Sequence, residues 1–281
     1  MKFQHTLLFC MIVALATISC DNSVSTTTQT TDSSKSTSTQ TSIREEPVSY
    51  TANGTTFNGY VTYDNNKPGL RPIILVVPEW WGLTDYPRMR AKMLAEMGYL
   101  AMAVDMYGDG KVAQTPEEAQ KAATPFYSNP TMGKERLDAA LTKAKTFPQA
   151  DTSQVVAIGY CFGGSMVLNY AKMGGPVAGV VSFHGGLEGV PPQKGTKAQF
   201  LICHGGADSF VPQAQVDAFK KSMDSAGLNY TFKVYDNATH AFTNPKATEI
   251  GEKFKMPIKY NGAADSASWN DMKKFFHKIL H

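Results

Sequence analysis

The stretch Gly159-Tyr160-Cys161-Phe162-Gly163-Gly164 sets a thiol between glycines. An apolar run, Val155-Val156-Ala157-Ile158, precedes it, and a helix-like run from Met166 to Lys172 follows. Strand, Gly-bounded turn and helix make the pattern of a nucleophile elbow, in which the central side chain is held in strained geometry above a sheet. A cysteine there suits nucleophilic catalysis through a covalent thioester. Such a nucleophile needs a base and a group that orients the base. Asp208, in His204-Gly205-Gly206-Ala207-Asp208, and His240, in Ala238-Thr239-His240-Ala241-Phe242, follow in the order acid then histidine, each just after a strand-like run. His184 and His204 also follow strands, but only His240 has the required place in the order.

The elements that must position these groups are legible as patterns. Val48 to Ala52 and Thr55 to Tyr63 flank Asn53-Gly54, a hairpin signal. Pro72 to Val77, Tyr99 to Val104, Gln154 to Tyr160, Val177 to Phe183 and Gln199 to Cys203 are apolar runs without alternation, as in strands buried on both faces. Tyr230 to Tyr235 is a last strand. Helices are expected from Thr84 to about Met97, after Thr115-Pro116-Glu117-Glu118, from about Met132 to Phe147, from Pro212 to Ser225 and from Asp265 to Leu280. Alternation of buried strands with helices predicts an α/β fold, a mostly parallel central sheet with helices on both faces. The thirteen methionines read as core filler.

The chain has 281 residues and a net charge of +3, with Lys and Asp/Glu interspersed, so no basic patch argues for nucleic acid. Residues 1–20 read as a signal peptide, with Met1-Lys2 before the apolar run from Leu7 to Ile18. Two ends fit. Ala14-Leu15-Ala16 suits ordinary cleavage, and Thr17-Ile18-Ser19-Cys20 resembles a lipobox that would lipidate Cys20, with Thr17 where Leu is usual. Residues 21–43, rich in Ser and Thr, read as a disordered tether, and 44–281 as the catalytic domain. The expected location is the bacterial cell envelope, periplasmic and membrane-tethered through Cys20, or else secreted. Only Cys161 and Cys203 fall in the domain. A thiol-redox role would need a resolving cysteine beside Cys161, and none is apparent.

The chain resembles the dienelactone hydrolase family of the α/β-hydrolase fold. The resemblance covers nearly all of residues 48 to 281. It rests on Pro78-Glu79-Trp80-Trp81-Gly82, the Cys161 elbow, His204 to Asp208, His240-Ala241-Phe242, and Tyr260-Asn261-Gly262-Ala263-Ala264 followed by Trp269. It implies Cys161 as nucleophile, His240 as general base and Asp208 as its orienting acid. Glu79 would pair with the thiol and help to deprotonate it, and the backbone N–H groups of Trp80 and Phe162 would form an oxyanion hole. A free thiol has a pKa of about 8.5, so a carboxylate beside it is expected to leave it inert at rest and to take its proton when substrate enters. A disulfide between Cys161 and Cys203 is disfavoured by the sheet order that the family resemblance implies, since two strand spacings, about 10 Å, exceed the roughly 7 Å limit.

Two departures bear on substrate. Family members acting on dienelactone carry arginines that clamp a substrate carboxylate; here Asp109 and Asn244 stand at those places. Without guanidinium at either, a small anionic substrate loses its bidentate partner. Trp81, Tyr107, Tyr160 and His184 are expected around an aromatic-walled pocket. The reading is hydrolysis of an uncharged small-molecule ester or lactone, with no metal or organic cofactor implied. The alternative is a tethered binding protein on the same fold with little turnover.

Overall fold

Arg71–Val77 (β3) is buried along nearly its whole length, and its neighbours are equally apolar, so this strand lies in the middle of a sheet. The computed structural model describes residues 41–280. The expected signal peptide, the lipidation of Cys20 and residues 21–40 of the expected tether lie outside them. The last residue assigned to the tether, Ile43, already belongs to the first strand, where it pairs with Asp64.

The eight strands are Ile43–Ala52 (β1), Thr55–Asp64 (β2), β3, Leu100–Ala103 (β4), Ala150–Tyr160 (β5), Gly179–Phe183 (β6), Gln199–Gly205 (β7) and Tyr230–Tyr235 (β8). They form one sheet in the order β1-β2-β4-β3-β5-β6-β7-β8. The β1–β2 hairpin and the β2–β4 pair are antiparallel, and every pair from β4 to β8 is parallel. β6 separates β5 from β7, and Cys161 and Cys203 are both free thiols.

Helices cover both faces. Pro116–Ser128 (α2), Pro130–Ala144 (α3), Phe162–Lys172 (α4) and Gln213–Ala226 (α5) bury residues such as Ala123, Leu137, Leu168 and Phe219 with Leu75, Ala157 and Ile202 of the sheet. Asp85–Glu96 (α1) and Gly262–Ile279 (α7) bury Leu94, Met272 and Phe276 with Ile74, Val156 and Val181 on the other. The short helix Ala247–Phe254 (α6) follows β8 and has no counterpart in the sequence reading. The α/β architecture expected from the strand and helix pattern, a mostly parallel sheet with helices on both faces, is the one observed.

The strands run parallel from β4 to β8, so their C-terminal ends share one edge. Cys161 follows β5 there, Asp208 follows β7, and His240 follows β8. Crossovers put catalytic-type side chains on these loops while the sheet holds their spacing.

At the start of α4 two backbones come into close contact. A Cβ on Gly163 would collide with the carbonyl oxygens of Val77 and Pro78, and one on Gly159 with the carbonyl of Gly163. Gly163→Ala is therefore expected to lower stability by about 2–3 kcal/mol in urea denaturation, the usual penalty for overpacking a filled core. A loss below about 0.5 kcal/mol would mean that β3 and α4 are not held at this distance.

Candidate active site

Cys161 caps the N-terminus of α4 with φ 53° and ψ −115°. Few non-glycine residues adopt a positive φ, and its cost of about 1–3 kcal/mol must be held by surrounding structure. The Cys161 N–H donates to the carbonyl of Phe183 at 3.0 Å and also to Nδ1 of His184 at 3.1 Å. His184 itself has φ 42°. Its Nδ1 must accept, so in the neutral ring the proton sits on Nε2, which donates to Oγ1 of Thr243 at 2.7 Å. Burial first, then the charges of His240 and Arg90, hold the His184 pKa well below the ordinary imidazole value, in keeping with that neutral ring.

This bonding continues to the last helix. Tyr86 Oη lies 2.6 Å from Thr243 Oγ1, and Arg90 donates to the Thr243 carbonyl at 2.6 Å. Arg90 also pairs with Asp265 of α7 at 2.6 Å, and both the guanidinium and the loop it grips are buried. The backbone of Cys161 is thus tied through His184, Thr243 and Arg90 to α7.

His240 and Asp208 meet at the same edge, with Nδ1 of His240 2.8 Å from Oδ2 of Asp208. A carboxylate only accepts, so Nδ1 carries the proton and Nε2 is left for another partner. The Asp208 side chain is fully buried, and its Oδ1 accepts from the Phe210 amide at 2.9 Å. The Phe210 ring stands edge-on to His240 with centroids 5.1 Å apart. Burial pushes the His240 pKa down; the charge of an ionised Cys161 and the Asp208 hydrogen bond more than reverse it, to about 10.

Cys161 and His240 line one cavity of about 220 Å³, together with Glu79, Trp80, Trp81 and Phe162. Glu79 is 4 % exposed. Its Oε2 accepts from Nδ2 of Asn244 at 2.7 Å, and no hydrogen bond joins it to Cys161 among the described residues. Asn244, where a clamp arginine was sought, is thus occupied by Glu79. Burial pushes the Glu79 carboxyl up to about 7, against the opposing effects of the Asn244 hydrogen bond, His240 and Arg90. Asp109 lies outside both the cavity and the core, exposed and paired with Lys111 at 3.5 Å.

The backbone amides of Trp80 and Phe162 have no acceptor among the described residues. Phe162 is the first residue of α4, where amides point out of the helix unpaired. Trp80 is held from behind, its carbonyl accepting from the Tyr107 hydroxyl at 2.7 Å. The loop bearing Tyr107 is in turn organised by Asp105, whose carboxylate accepts from the amides of Asn58, Tyr107, Gly108 and Gly110 at 2.9–3.0 Å.

Three of the residues expected around the pocket are elsewhere. Tyr160 points into the opposite core layer and stacks on Phe183, centroids 4.8 Å apart, because its side chain leaves β5 on the α1/α7 face. His184 is turned beneath the elbow by its positive φ and is fully buried. Tyr107 braces Trp80 and packs on Phe162 without lining the cavity. Trp81 does line it, and so do Phe210, Tyr127, Ile250 of α6, and Met256 and Ile258, none of which the sequence reading singled out. Phe210 lies two residues beyond Asp208, which was a usable signal; Tyr127 and the α6 region reach the site only through packing.

Sheet order, crossovers and a cysteine elbow facing a His–Asp pair define an α/β-hydrolase. The family model for the dienelactone hydrolase family matches residues 57–280. The chain belongs to that family. It is 32% identical over 183 residues to a candidate carboxymethylenebutenolidase of Methylorubrum extorquens, a match covering 61% of this chain and 63% of the relative. It is 26% identical to the protein usf of Aquifex pyrophilus, over 83% of this chain and 98% of that one. Among solved structures, a dienelactone hydrolase-like promiscuous phosphotriesterase, P91, from metagenomic libraries superposes with a TM-score of 0.79 at 31% identity, covering 84% of this chain and 98% of its own.

The buried carboxyl carries a pH signature. Folding raises the Glu79 pKa from 4.5 to about 7, so the folded protein holds this proton more tightly than the unfolded chain. The contribution is complete below the unfolded value and is lost as pH rises through about 7. Glu79→Gln removes this loss. Its stability relative to the parent, from urea denaturation, is expected to rise between pH 5 and 7 by up to roughly 3 kcal/mol and to level off above. A difference that stays flat from pH 5 to 8 would contradict an ionisable, buried Glu79.

Proposed function

We propose that this protein hydrolyses uncharged carboxylic esters or lactones through a thioester on Cys161. The observation that carries the reading is the strained Cys161 facing a His240 that is hydrogen-bonded to buried Asp208 at 2.8 Å, in one cavity. The thiolate attacks the carbonyl carbon, forming the S–C bond, and the oxyanion is held by the amides of Trp80 and Phe162. The thiol proton passes to His240 as the sulfur attacks, and collapse breaks the C–O bond and returns that proton from His240 to the leaving alkoxide. Acylation removes the Cys161 charge that raises the His240 pKa, so the imidazole is released from its strongest supporting charge as it becomes the base for water. Water then cleaves the thioester and returns the acid and the thiol.

Glu79, docked on Asn244 beside the cavity with a carboxyl poised near neutrality, disfavours a permanent thiolate and assists the transfer of the thiol proton to His240 in this scheme. The preference for uncharged substrates rests on Asn244 and Asp109, neither of which supplies a guanidinium. The relatives support ester or lactone hydrolysis: one is named as a candidate carboxymethylenebutenolidase, and another as a dienelactone hydrolase-like promiscuous phosphotriesterase.

The test is hydrolysis of p-nitrophenyl acetate. Cys161→Ala and His240→Ala are expected to lower kcat/KM by about 10³-fold or more, and Asp208→Asn by a smaller factor, as in triads that act as a unit. Mass spectrometry of the stalled His240→Ala protein should find the acetyl group on Cys161. Equal activity in the parent and in Cys161→Ala would refute the mechanism.

The envelope location is part of the proposal. In a bacterial host, Cys20→Ala is expected to move the protein from the membrane fraction to the soluble one, by immunoblot of both. Unchanged membrane partition would remove lipidation from the scheme.

A further inference from the structure

The cavity at Cys161 has a neighbour. A second cleft of about 380 Å³ shares Glu79, Trp81, Asn244 and Ile250 with it. Its remaining wall comes from Tyr86 and Met89 of α1, from Val112 to Gln114, and from Phe254 at the end of α6. Trp81 stacks on Phe254 with centroids 5.8 Å apart, so this ring pair stands where the two spaces meet. Asp85 and Lys246 put one charge of each sign on its wall.

Size and rim both point to use. The 380 Å³ cleft lies within the usual range for small-molecule sites by itself, whereas the 220 Å³ cavity at Cys161 reaches it only with its neighbour, together roughly 600 Å³. Six large apolar side chains are exposed among the described residues, and four of them, Met89, Val112, Tyr127 and Phe210, line these two cavities. Exposed apolar groups gathered at a concave site mark a binding surface more than solvent-facing chance does. An ester has two arms on its carbonyl, and the space at Cys161 is crowded by Trp80, Phe162, Phe210 and Tyr127.

We propose that the second cleft is a substrate subsite for an unbranched apolar arm of the ester, passing from Cys161 along the Trp81 edge into the space between α1 and α6. This rests on the proposed function for the reacting end. The arm is hydrocarbon: among the described residues Lys246 is the one cation on the wall, and Asp85 and Glu79 on the same wall disfavour an anionic group. Val112 and Met89 line the second cleft but not the cavity at Cys161, and both are exposed, so their size limits how long an arm it takes.

Each methylene buried in such a wall is worth about fourfold in binding. We expect kcat/KM to climb from two to eight carbons in one of two series, ethyl esters of lengthening acids or acetates of lengthening alcohols. The series that climbs tells which arm occupies the cleft. Val112→Trp and Met89→Trp fill the cleft from exposed positions and should each flatten the climb, lowering kcat/KM for the eight-carbon ester tenfold or more while ethyl acetate changes less than twofold. Calorimetric titration of the Cys161→Ala protein with ethyl and octyl esters gives the same comparison without turnover, and Val112→Trp should abolish the octyl preference.

If ethyl acetate is turned over through Cys161 but neither series climbs, or the climb survives both tryptophans, the subsite is wrong and the proposed function stands. If no ester is turned over but the Cys161→Ala protein still prefers the octyl ester and loses this preference in Val112→Trp, the subsite stands and the proposed function fails. Absence of any chain-length preference in both turnover and titration overturns the subsite.

Discussion

Cys161 sits at φ 53°, a conformation that costs an ordinary residue about 1–3 kcal/mol and persists only if its neighbours over-determine it. Much of the C-terminal edge of the sheet is arranged to do so. Glycines at 159 and 163 let β5, α4 and the end of β3 close on one another. The Cys161 amide is held by Phe183 and His184, His184 by Thr243, and Thr243 by an Arg90 that is paired with Asp265 on α7. Helix α7 lies on the other face of the sheet from α4, so the elbow is braced from both layers.

The same edge gathers charge in a place that disfavours it. Glu79, Asp208, His240 and Arg90 are all buried. Buried charges survive when each has a partner, and here each has one: Asn244 for Glu79, His240 for Asp208, Asp265 and a carbonyl for Arg90. The consequences for titration run in opposite directions. Desolvation dominates at Glu79 and raises it to about 7; at His240 desolvation lowers the value, but Cys161 and Asp208 together outweigh it and lift it to about 10. A carboxyl that gains its charge near neutrality and an imidazole that answers to the charge on sulfur are the elements of a site whose protonation follows the state of Cys161.

Asn244 joins the chemistry to the question of substrate. Its side chain is spent on Glu79, so it offers no second donor set to a substrate anion. What surrounds the sulfur instead is aromatic and aliphatic: Trp80, Trp81, Phe162, Phe210 and Tyr127. Such walls select by shape and apolar area, which is the basis of the proposed preference for an uncharged ester.

The elbow, the acid and the histidine were readable from residue type and order, because each follows a strand-like run, and a parallel sheet brings such strand ends to one edge. The eight strands and the helices on both faces were readable for the same reason, apart from α6, whose eight residues are too few to show a period. Which side chains face the cavity was decided by the tertiary structure. Tyr160 and Cys161 are adjacent in the chain, yet one is in the core and the other at the site, since Tyr160 ends β5 on the α1/α7 face and the chain turns out of the strand at Cys161 with φ 53°. His184 looked like a pocket residue by position, but its positive φ turns the ring under the elbow. The bond between Glu79 and Asn244 spans 165 residues, and no local pattern encodes it; only the packing of the β3 and β8 loops against each other brings the two together.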